Sequence, residues 1–167
     1  MTRLRSRLSE KSQGFTLIEL LVVVMIGGLL AAIALPAFLN QSNKAKQVEA
    51  KLYLGSLNRA QQAYMMEHLH FTSDLDKLSV LLKPSPNYQF SIVVSSPDRL
   101  YAIHHAASLH STLRSYVGMA AMIQQTSGEA ATNSVLCEAE QAGIGKAGDP
   151  LYNSSDVTCA STTRSVQ

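Results

Sequence analysis

One carboxylate lies inside the most apolar stretch of the chain, and its position strongly restricts the chemistry available there. Glu19 stands four residues into the apolar residues 15–39. A charged side chain within hydrocarbon costs roughly 2.5–3.5 kcal/mol, so it should persist only beside a partner. Cleavage between Gly14 and Phe15 would create a cationic α-amino group, which Glu19 can reach within its own chain or in a neighbouring copy. The alternative is that Glu19 lies near a lipid interface and extends its carboxylate to water.

The histidines and two aspartates suggest a second chemistry, metal binding. The candidates are His68, His70, His104, His105, His110, Asp74 and Asp76. A tetrahedral site needs three or four converging donors, and the spacing of an EF-hand calcium loop is absent from the sequence. The sequence also contains no nucleophile elbow, phosphate loop or credible Cys–His pair. We therefore expect no metal, no cofactor and no enzymatic activity.

The composition of the 167-residue chain excludes several other classes of protein. With 46% hydrophobic and 16% charged residues, the chain is neither disordered nor a multi-span membrane protein. A net charge of +2 gives too weak a field for a strongly basic nucleic-acid-binding protein, so nucleic acid is not indicated as a partner. Two cysteines are too few for a dense disulfide scaffold.

The element that must position Glu19 is an apolar helix of membrane-spanning length. Residues 15–39 are almost wholly apolar, and residues 20–43 contain no ionisable side chain. About 20 such residues cross the hydrocarbon core of a bilayer. The preceding residues are basic and should keep the N-terminus cytoplasmic: Arg3, Arg5, Arg7 and Lys11. We expect a single membrane span, with residues after about 43 outside the cytoplasm.

Three interpretations of this segment compete. A secretory signal would be cleaved near residues 32–34, where Ala-Ile-Ala provides a small-x-small site. A simple membrane anchor would not be cleaved at all. The third interpretation accounts for four details that the other two leave unexplained, namely Gly14 at the junction, Phe15 after it, Glu19 inside the run and Pro36 near its end.

Residues 14–20, Gly-Phe-Thr-Leu-Ile-Glu-Leu, resemble the class III signal motif of type IV pilins and pseudopilins. The resemblance implies that a prepilin peptidase removes residues 1–14 by cleaving after Gly14, and that Phe15 is then N-methylated. It further implies that Glu19 pairs with the N-terminus of an adjacent subunit during assembly. Pro36 matches the helix-kinking proline of that family.

The end of the apolar segment is also its weakest helical part. Gly27 and Gly28 each cost about 1 kcal/mol relative to Ala in a helix interior, and Pro36 costs about 3 kcal/mol. In lipid the backbone must remain hydrogen-bonded, whereas neighbouring chains in a filament core would allow it to unwind. We predict that residues 27–36 bend or melt on assembly.

Residues 40–68 continue the helix with mixed polarity, so that one helix runs from about residue 15 to residue 68. One broad apolar face is predicted from Ala45, Val48, Leu52, Ala60 and Ala63, widened by Tyr53, Leu57 and Tyr64. Polar residues are predicted to point elsewhere: Lys44, Lys51, Asn58 and Gln62. Residues 57–64, followed by Phe71, resemble the cyanobacterial branch of the pilins.

The second half of the chain predicts a small antiparallel sheet. Residues 88–94 alternate as a half-buried strand, and residues 100–107 return as its hairpin partner. Residues 113–124 are ambiguous and are interpreted as a third strand, and a fourth is predicted around residues 134–138. About four strands laid on the amphipathic half of the helix give an α+β domain over residues 40–167. The pilin resemblance implies the same fold.

Cys137 and Cys159 flank a stretch with the composition of a loop. In an exported domain an even number of cysteines favours a disulfide, which would be worth roughly 3 kcal/mol on the chain-entropy model. The alternative is two unrelated buried thiols. A disulfide-bounded C-terminal loop also resembles the surface-exposed variable region of many pilins.

These features predict a structural subunit of a type IV pilus, which would support motility, adhesion or DNA uptake. The subunit would be stored in the inner membrane and then polymerised into an extracellular pilus or a periplasmic pseudopilus. The expected partners are other pilin subunits, the prepilin peptidase, the assembly platform and membrane lipid. The alternatives are a minor pilin, a type II secretion pseudopilin, or an anchored binding domain that does not polymerise.

Overall fold

The computed structural model describes residues 14–81, 83–96, 98, 100–125 and 127–166. The predicted leader therefore lies outside the described residues, apart from Gly14. The chain forms two compact units, one ending at Asn40 and one beginning at Gln41. Helix α1 comprises Leu17–His68, two residues shorter at its start than the sequence predicts.

The first unit contains the apolar part of α1. Its described residues are all exposed, and α1 is long enough and apolar enough to cross a membrane. Apolar side chains on every side of a helix require burial on every side, either in lipid or against other protein chains. The sequence prediction of an apolar helix over residues 15–39 is confirmed in this respect.

The second unit is built on a five-stranded antiparallel sheet, in the order β1-β2-β3-β4-β7. Its strands are Tyr88–Val94 (β1), Tyr101–Ser108 (β2), Arg114–Gln124 (β3), Ala130–Ala142 (β4) and Thr163–Ser165 (β7). A separate two-stranded hairpin joins Leu151–Asn153 (β5) to Asp156–Thr158 (β6). The sheet thus has one strand more than the four predicted, and β4 extends well beyond residues 134–138.

Both faces of the sheet are covered, which explains why the third strand was ambiguous in sequence. On one face Tyr116 and Ala106 pack against Leu54 and Leu57 of α1. On the other face the C-terminal segment supplies the cover, with a second cluster formed by Ile103, Val117, Met119, Ala121, Cys137, Ala147 and Val157. A strand buried on both faces lacks the alternation of a half-buried one.

The face of α1 that packs on the sheet is only partly the one predicted. The buried positions are Ala50, Leu54, Leu57, Asn58, Gln61, Tyr64 and Met65. Leu57 and Tyr64 were predicted to lie on the apolar face and are buried, and Tyr53 and Ala60 are half-buried against the same core. At 3.6 residues per turn the other four predicted residues lie roughly on the opposite side and are exposed, namely Ala45, Val48, Leu52 and Ala63. The centre of the predicted face is wrong because Asn58 was expected to point elsewhere, although it is buried with hydrogen-bonding partners. Gln61, for which no orientation was predicted, is buried on the same side.

Candidate assembly segment and the outer domain

The start of α1 positions Glu19. The Oε2 atom of Glu19 accepts hydrogen bonds from the Thr16 backbone N–H at 2.8 Å and from the Thr16 hydroxyl at 2.7 Å. The Thr16 hydroxyl in turn accepts a bond from the Glu19 N–H at 3.3 Å. This reciprocal arrangement is a capping box, in which two otherwise unpaired donors of the first turn are satisfied. The spacing Thr-x-x-Glu was a signal in the sequence that our interpretation did not use.

The capping box occupies only one carboxylate oxygen of Glu19. Within the part of the chain that the structure describes, no hydrogen bond is made by the Oε1 atom. The surrounding side chains are apolar and open, with Phe15 85% and Leu17 88% exposed. A carboxylate oxygen in this setting can accept a bond from a cation brought by another molecule without any loss of the helix cap.

Gly27, Gly28 and Pro36 lie within α1, which continues through all three positions. A Cβ atom built on either glycine would meet no other atom within 4 Å outside the neighbouring backbone. Pro36 has no backbone N–H, so one hydrogen bond of the helix ladder is missing at that turn. The bend expected on assembly therefore remains a prediction.

A disulfide joins Cys137 to Cys159, as predicted. The two residues are 22 positions apart in sequence, and their Cα atoms are 5.8 Å apart. Cys137 is fully buried in β4, and β7 pairs with the same part of β4 through the partners Cys137 and Ser165. The disulfide and the last strand therefore fasten the C-terminal segment to one strand of the sheet.

A buried polar contact holds α1 on the sheet. The Asn58 amide donates to the Val135 carbonyl at 3.0 Å, and its Oδ1 atom lies 3.1 Å from His104 Nδ1. Burial first, and the adjacent His105 second, lower the pKa of His104 to about 3. A neutral His104 can donate from Nδ1 to Asn58, and Gly118 lies directly beneath this contact.

A second buried amide fixes the segment that follows α1. Gln61 is fully buried and bonds to both backbone groups of Thr72, donating to its carbonyl at 2.5 Å and accepting from its N–H at 3.2 Å. Helix α1 ends at His68, and Leu69 adopts a φ of 59° with its N–H bonded to the Met65 carbonyl. This left-handed residue turns the chain at the helix end, and Gln61 then holds the backbone of the following segment at Thr72.

Glu138, a buried carboxylate of the second unit, contacts three cationic side chains. Glu138 is 6% exposed. Its Oε1 accepts from Arg114 at 2.9 Å and from Arg164 at 3.3 Å, and its Oε2 lies 3.9 Å from the Lys51 ammonium. Because these residues lie far apart in the sequence, no local pattern could have revealed the cluster.

The histidines considered as metal ligands lie in separate environments. His104 faces α1, whereas the His105 imidazole lies 3.2 Å from the Asp149 carboxylate on the other face. Burial lowers the pKa of His105, and Asp149 acts in the opposite direction. His68 and His70 lie near Tyr64 at the end of α1, and His110 contacts the Pro86 carbonyl. Among the described residues, no group of three or more His, Cys, Asp or Glu is placed to hold a metal.

A long helix with an exposed apolar part, an antiparallel sheet on its second part and a disulfide-closed C-terminal segment together constitute the type IV pilin fold. A model of the type IV pilin-like G and H family matches residues 47–160, and a model of the prokaryotic N-terminal methylation motif matches residues 10–35. Since the first match covers more than half of the sequence, the chain belongs to the type IV pilin-like G and H family.

Several curated proteins are similar to this chain. The type IV major pilin protein PilA of Myxococcus xanthus is 34% identical over 93 residues, which is 56% of this chain and 42% of that protein. The type IV wide pilus major component PilA4 of Thermus thermophilus is 38% identical over 91 residues, or 53% of this chain and 70% of that protein. The type II secretion system core protein G of Pseudomonas aeruginosa is 35% identical over 81 residues, which is 48% of this chain and 57% of that protein. The chain thus spans between 42% and 70% of the length of these relatives.

Proposed function

We propose that this chain is a structural subunit of a type IV pilus rather than an enzyme, and that it polymerises through the apolar part of α1. The observation that carries the proposal is that all described residues of the first unit are exposed although most are apolar. An exposed apolar surface of this extent requires lipid or protein cover. The similarity to pilin proteins of two bacteria supports the same function.

Before assembly, the subunit is held in the inner membrane by a single span with its N-terminus in the cytoplasm. A prepilin peptidase cleaves after Gly14, and Phe15 is N-methylated. The match of the methylation motif to residues 10–35 supports this processing. The alternative of an ordinary secretory signal predicts a mature chain that begins at Leu35, so the N-terminal peptide found by mass spectrometry distinguishes the two.

During assembly on the platform, Glu19 pairs with the α-amino group of an adjacent subunit. The capping box supports this role, since it fixes Oε2 through Thr16 and leaves Oε1 available. Residues 27–36 bend to fit neighbouring helices. The outward side of α1 in the second unit offers further apolar contact, because Leu52 is 70% and Met66 73% exposed.

Substitution of Glu19 tests the proposal. Glu19→Ala should be processed normally but should yield few filaments in sheared cell-surface fractions. Thr16→Ala removes the two cap bonds made by the hydroxyl and leaves the carboxylate in place, so it should assemble. Glu129→Ala removes an exposed carboxylate elsewhere and serves as the matched control. Equal filament yields from Glu19→Ala and the control would reject pairing at Glu19 and favour an anchored domain that does not polymerise.

A pseudopilin is the second candidate, and the similarity to a type II secretion core protein supports it. A pseudopilin remains in the periplasm, whereas a pilin reaches the cell surface. Deletion of the gene should abolish surface filaments if the chain is a major pilin. Loss of protein secretion with surface filaments intact would instead identify a pseudopilin, and filaments of reduced number would indicate a minor pilin. None of these three outcomes depends on the predicted cyanobacterial source, which stays a prediction.

A further inference from the structure

A basic cavity lies within the second unit, beside the first turns of α1 that belong to it. Its volume is about 500 Å³, and four cationic side chains line it, namely Lys44, Lys51, Arg114 and Arg164. Glu138 is the one carboxylate among the residues that line it. The cavity is distinct from the apolar segment proposed for assembly, and all of its lining residues belong to the second unit.

The cations of this cavity exceed the charge that Glu138 can neutralise. Arg114, Arg164 and Lys51 all approach the same carboxylate, and Lys44 adds a fourth positive charge. The formal surplus is therefore three charges. Among the hydrogen bonds of the described residues, each guanidinium uses one nitrogen on Glu138, although a guanidinium offers five N–H donors. Most of the donor capacity of the cavity is thus not used by Glu138.

The same contacts hold the donors in place. The Glu138 side chain is 9% exposed and anchors both guanidinium groups, while the Lys51 ammonium also lies 5.3 Å above the centre of the Tyr116 ring. Donors that are ordered in advance lose little freedom when a ligand arrives. Two guanidinium groups suit an anion with several oxygens arranged around one centre, because their planar forks bind such oxygens in pairs.

We propose that this cavity binds a phosphate group, supplied either by the headgroup of an anionic phospholipid or by free phosphate. The position of the cavity in the chain favours the lipid. Lys44 is five residues beyond the apolar segment that ends at residue 39, and five residues span at most about 18 Å. While the subunit is anchored, the cavity is therefore near the headgroups. The lipid source rests on the proposed membrane anchoring, whereas the phosphate chemistry does not.

The test uses the full chain in micelles of a nonionic detergent at low ionic strength. The side-chain nitrogen resonances of Arg114 and Arg164 are followed while inorganic phosphate, acetate, or a short-chain phosphatidylglycerol is added. Short-chain phosphatidylcholine, which has no net charge, is the comparison lipid. We expect saturable shifts with phosphate and phosphatidylglycerol and markedly weaker binding of acetate and phosphatidylcholine.

Three variants should change binding in three different ways. Lys44→Gln should weaken binding about fivefold, since one basic residue near an anionic surface contributes on the order of that factor. Lys46→Gln removes a lysine of the same helix that does not line the cavity, so it should leave binding unchanged. Glu138→Gln removes the competing carboxylate charge and should tighten binding.

The outcomes separate the two sources and the two proposals. Tighter binding of phosphatidylglycerol than of inorganic phosphate assigns the site to lipid, and equal or tighter binding of inorganic phosphate assigns it to the free ion. Acetate binding as tightly as phosphate would overturn the phosphate assignment in favour of a carboxylate from another protein chain. Absence of any saturable shift, or equal effects of Lys44→Gln and Lys46→Gln, would overturn the site altogether. Failure of filament assembly in Glu19 variants bears only on the proposed function.

Discussion

The close approach of Gly118 to Asn58 makes a strong prediction about the contact between α1 and the sheet. A Cβ atom at Gly118 would lie 2.8 Å from Asn58 Oδ1 and 3.3 Å from Nδ2, well inside ordinary contact distance. Asn58 is 5% exposed, and its amide cannot turn aside without breaking its bonds to Val135 and His104. Gly118→Ala should therefore disrupt the contact that fixes the helix.

The size of the effect follows from two costs. Overpacking of a filled core costs about 1–3 kcal/mol, and a buried group left without its hydrogen bond costs about 1–3 kcal/mol. Since movement of the amide relieves the overlap by breaking the bonds, the two costs partly replace one another. We expect a loss of about 2–4 kcal/mol. For a domain of this size the midpoint of thermal unfolding should fall by roughly 8–15 °C.

The measurement is the thermal unfolding midpoint of the full chain in detergent, followed by circular dichroism. Gly55→Ala is the matched control, because a Cβ at Gly55 meets no atom within 4 Å outside the neighbouring backbone. This control should be stabilising by about 0.5–1 kcal/mol, as alanine is the better helix former.

A double-mutant cycle tests the physical cause. In an Asn58→Ala background the overlap at Gly118 is removed, so Gly118→Ala should cost much less there, with a coupling energy of about 1–3 kcal/mol. The reasoning is refuted if Gly118→Ala changes stability by less than about 0.5 kcal/mol. It is also refuted if the cost is the same with and without the Asn58 side chain.

Three further predictions concern the stability of the second unit. The folded pKa of His104 is lowered from 6.5 to about 3 by burial and by His105, so the unfolded chain binds the extra proton between these values. Stability should fall as the pH drops from 6.5 towards 3, by up to about 1.4 kcal/mol per pH unit; a His104→Gln variant with an equally steep profile would contradict this. Reduction of the disulfide between Cys137 and Cys159 should cost about 3 kcal/mol in denaturant titrations, and an unchanged midpoint would be evidence against that value. Gln61→Ala should cost about 2–4 kcal/mol of stability, because it leaves the N–H and the carbonyl of Thr72 unpaired in the interior. The loop around Thr72 should then be cleaved faster by proteases, and an unchanged cleavage rate would contradict this prediction.

The sequence predicts the elements that carry a periodic signal. The apolar start of α1 and the hairpin of β1 and β2 were both recognisable, because the former is uniformly apolar and the latter alternates. Strand β7 was not predicted, since the three residues Thr163–Ser165 are polar and too few to show a pattern. Their partner in β4 becomes evident only in the folded structure.

Among the buried polar residues, sequence reasoning placed Asn58 wrongly and made no prediction about the burial of Gln61 or Glu138. Asn58 and Gln61 appear hydrophilic, and their partners are supplied by segments far along the chain or beyond the helix end. Glu138 is similar, because its three cations come from α1, β3 and β7. Such contacts shift the buried side of α1 towards Asn58 and Gln61, and a single sequence gives no information about them. By contrast, the Thr16–Glu19 capping box is local and could have been found.

The disulfide also limits how far the subunit can lengthen under load. Cys137 and Cys159 are 22 positions apart in sequence, so the segment that joins them would extend to about 75 Å if it were free, yet the bond holds its ends at a Cα separation of 5.8 Å. When the chain is pulled by its two termini, this segment cannot extend, even after the strands of the sheet have separated. In an oxidising environment the segment between the two cysteines is therefore a closed ring that bears no tension. The force is transmitted from Cys137 in β4 to Cys159 directly through the two sulfur atoms.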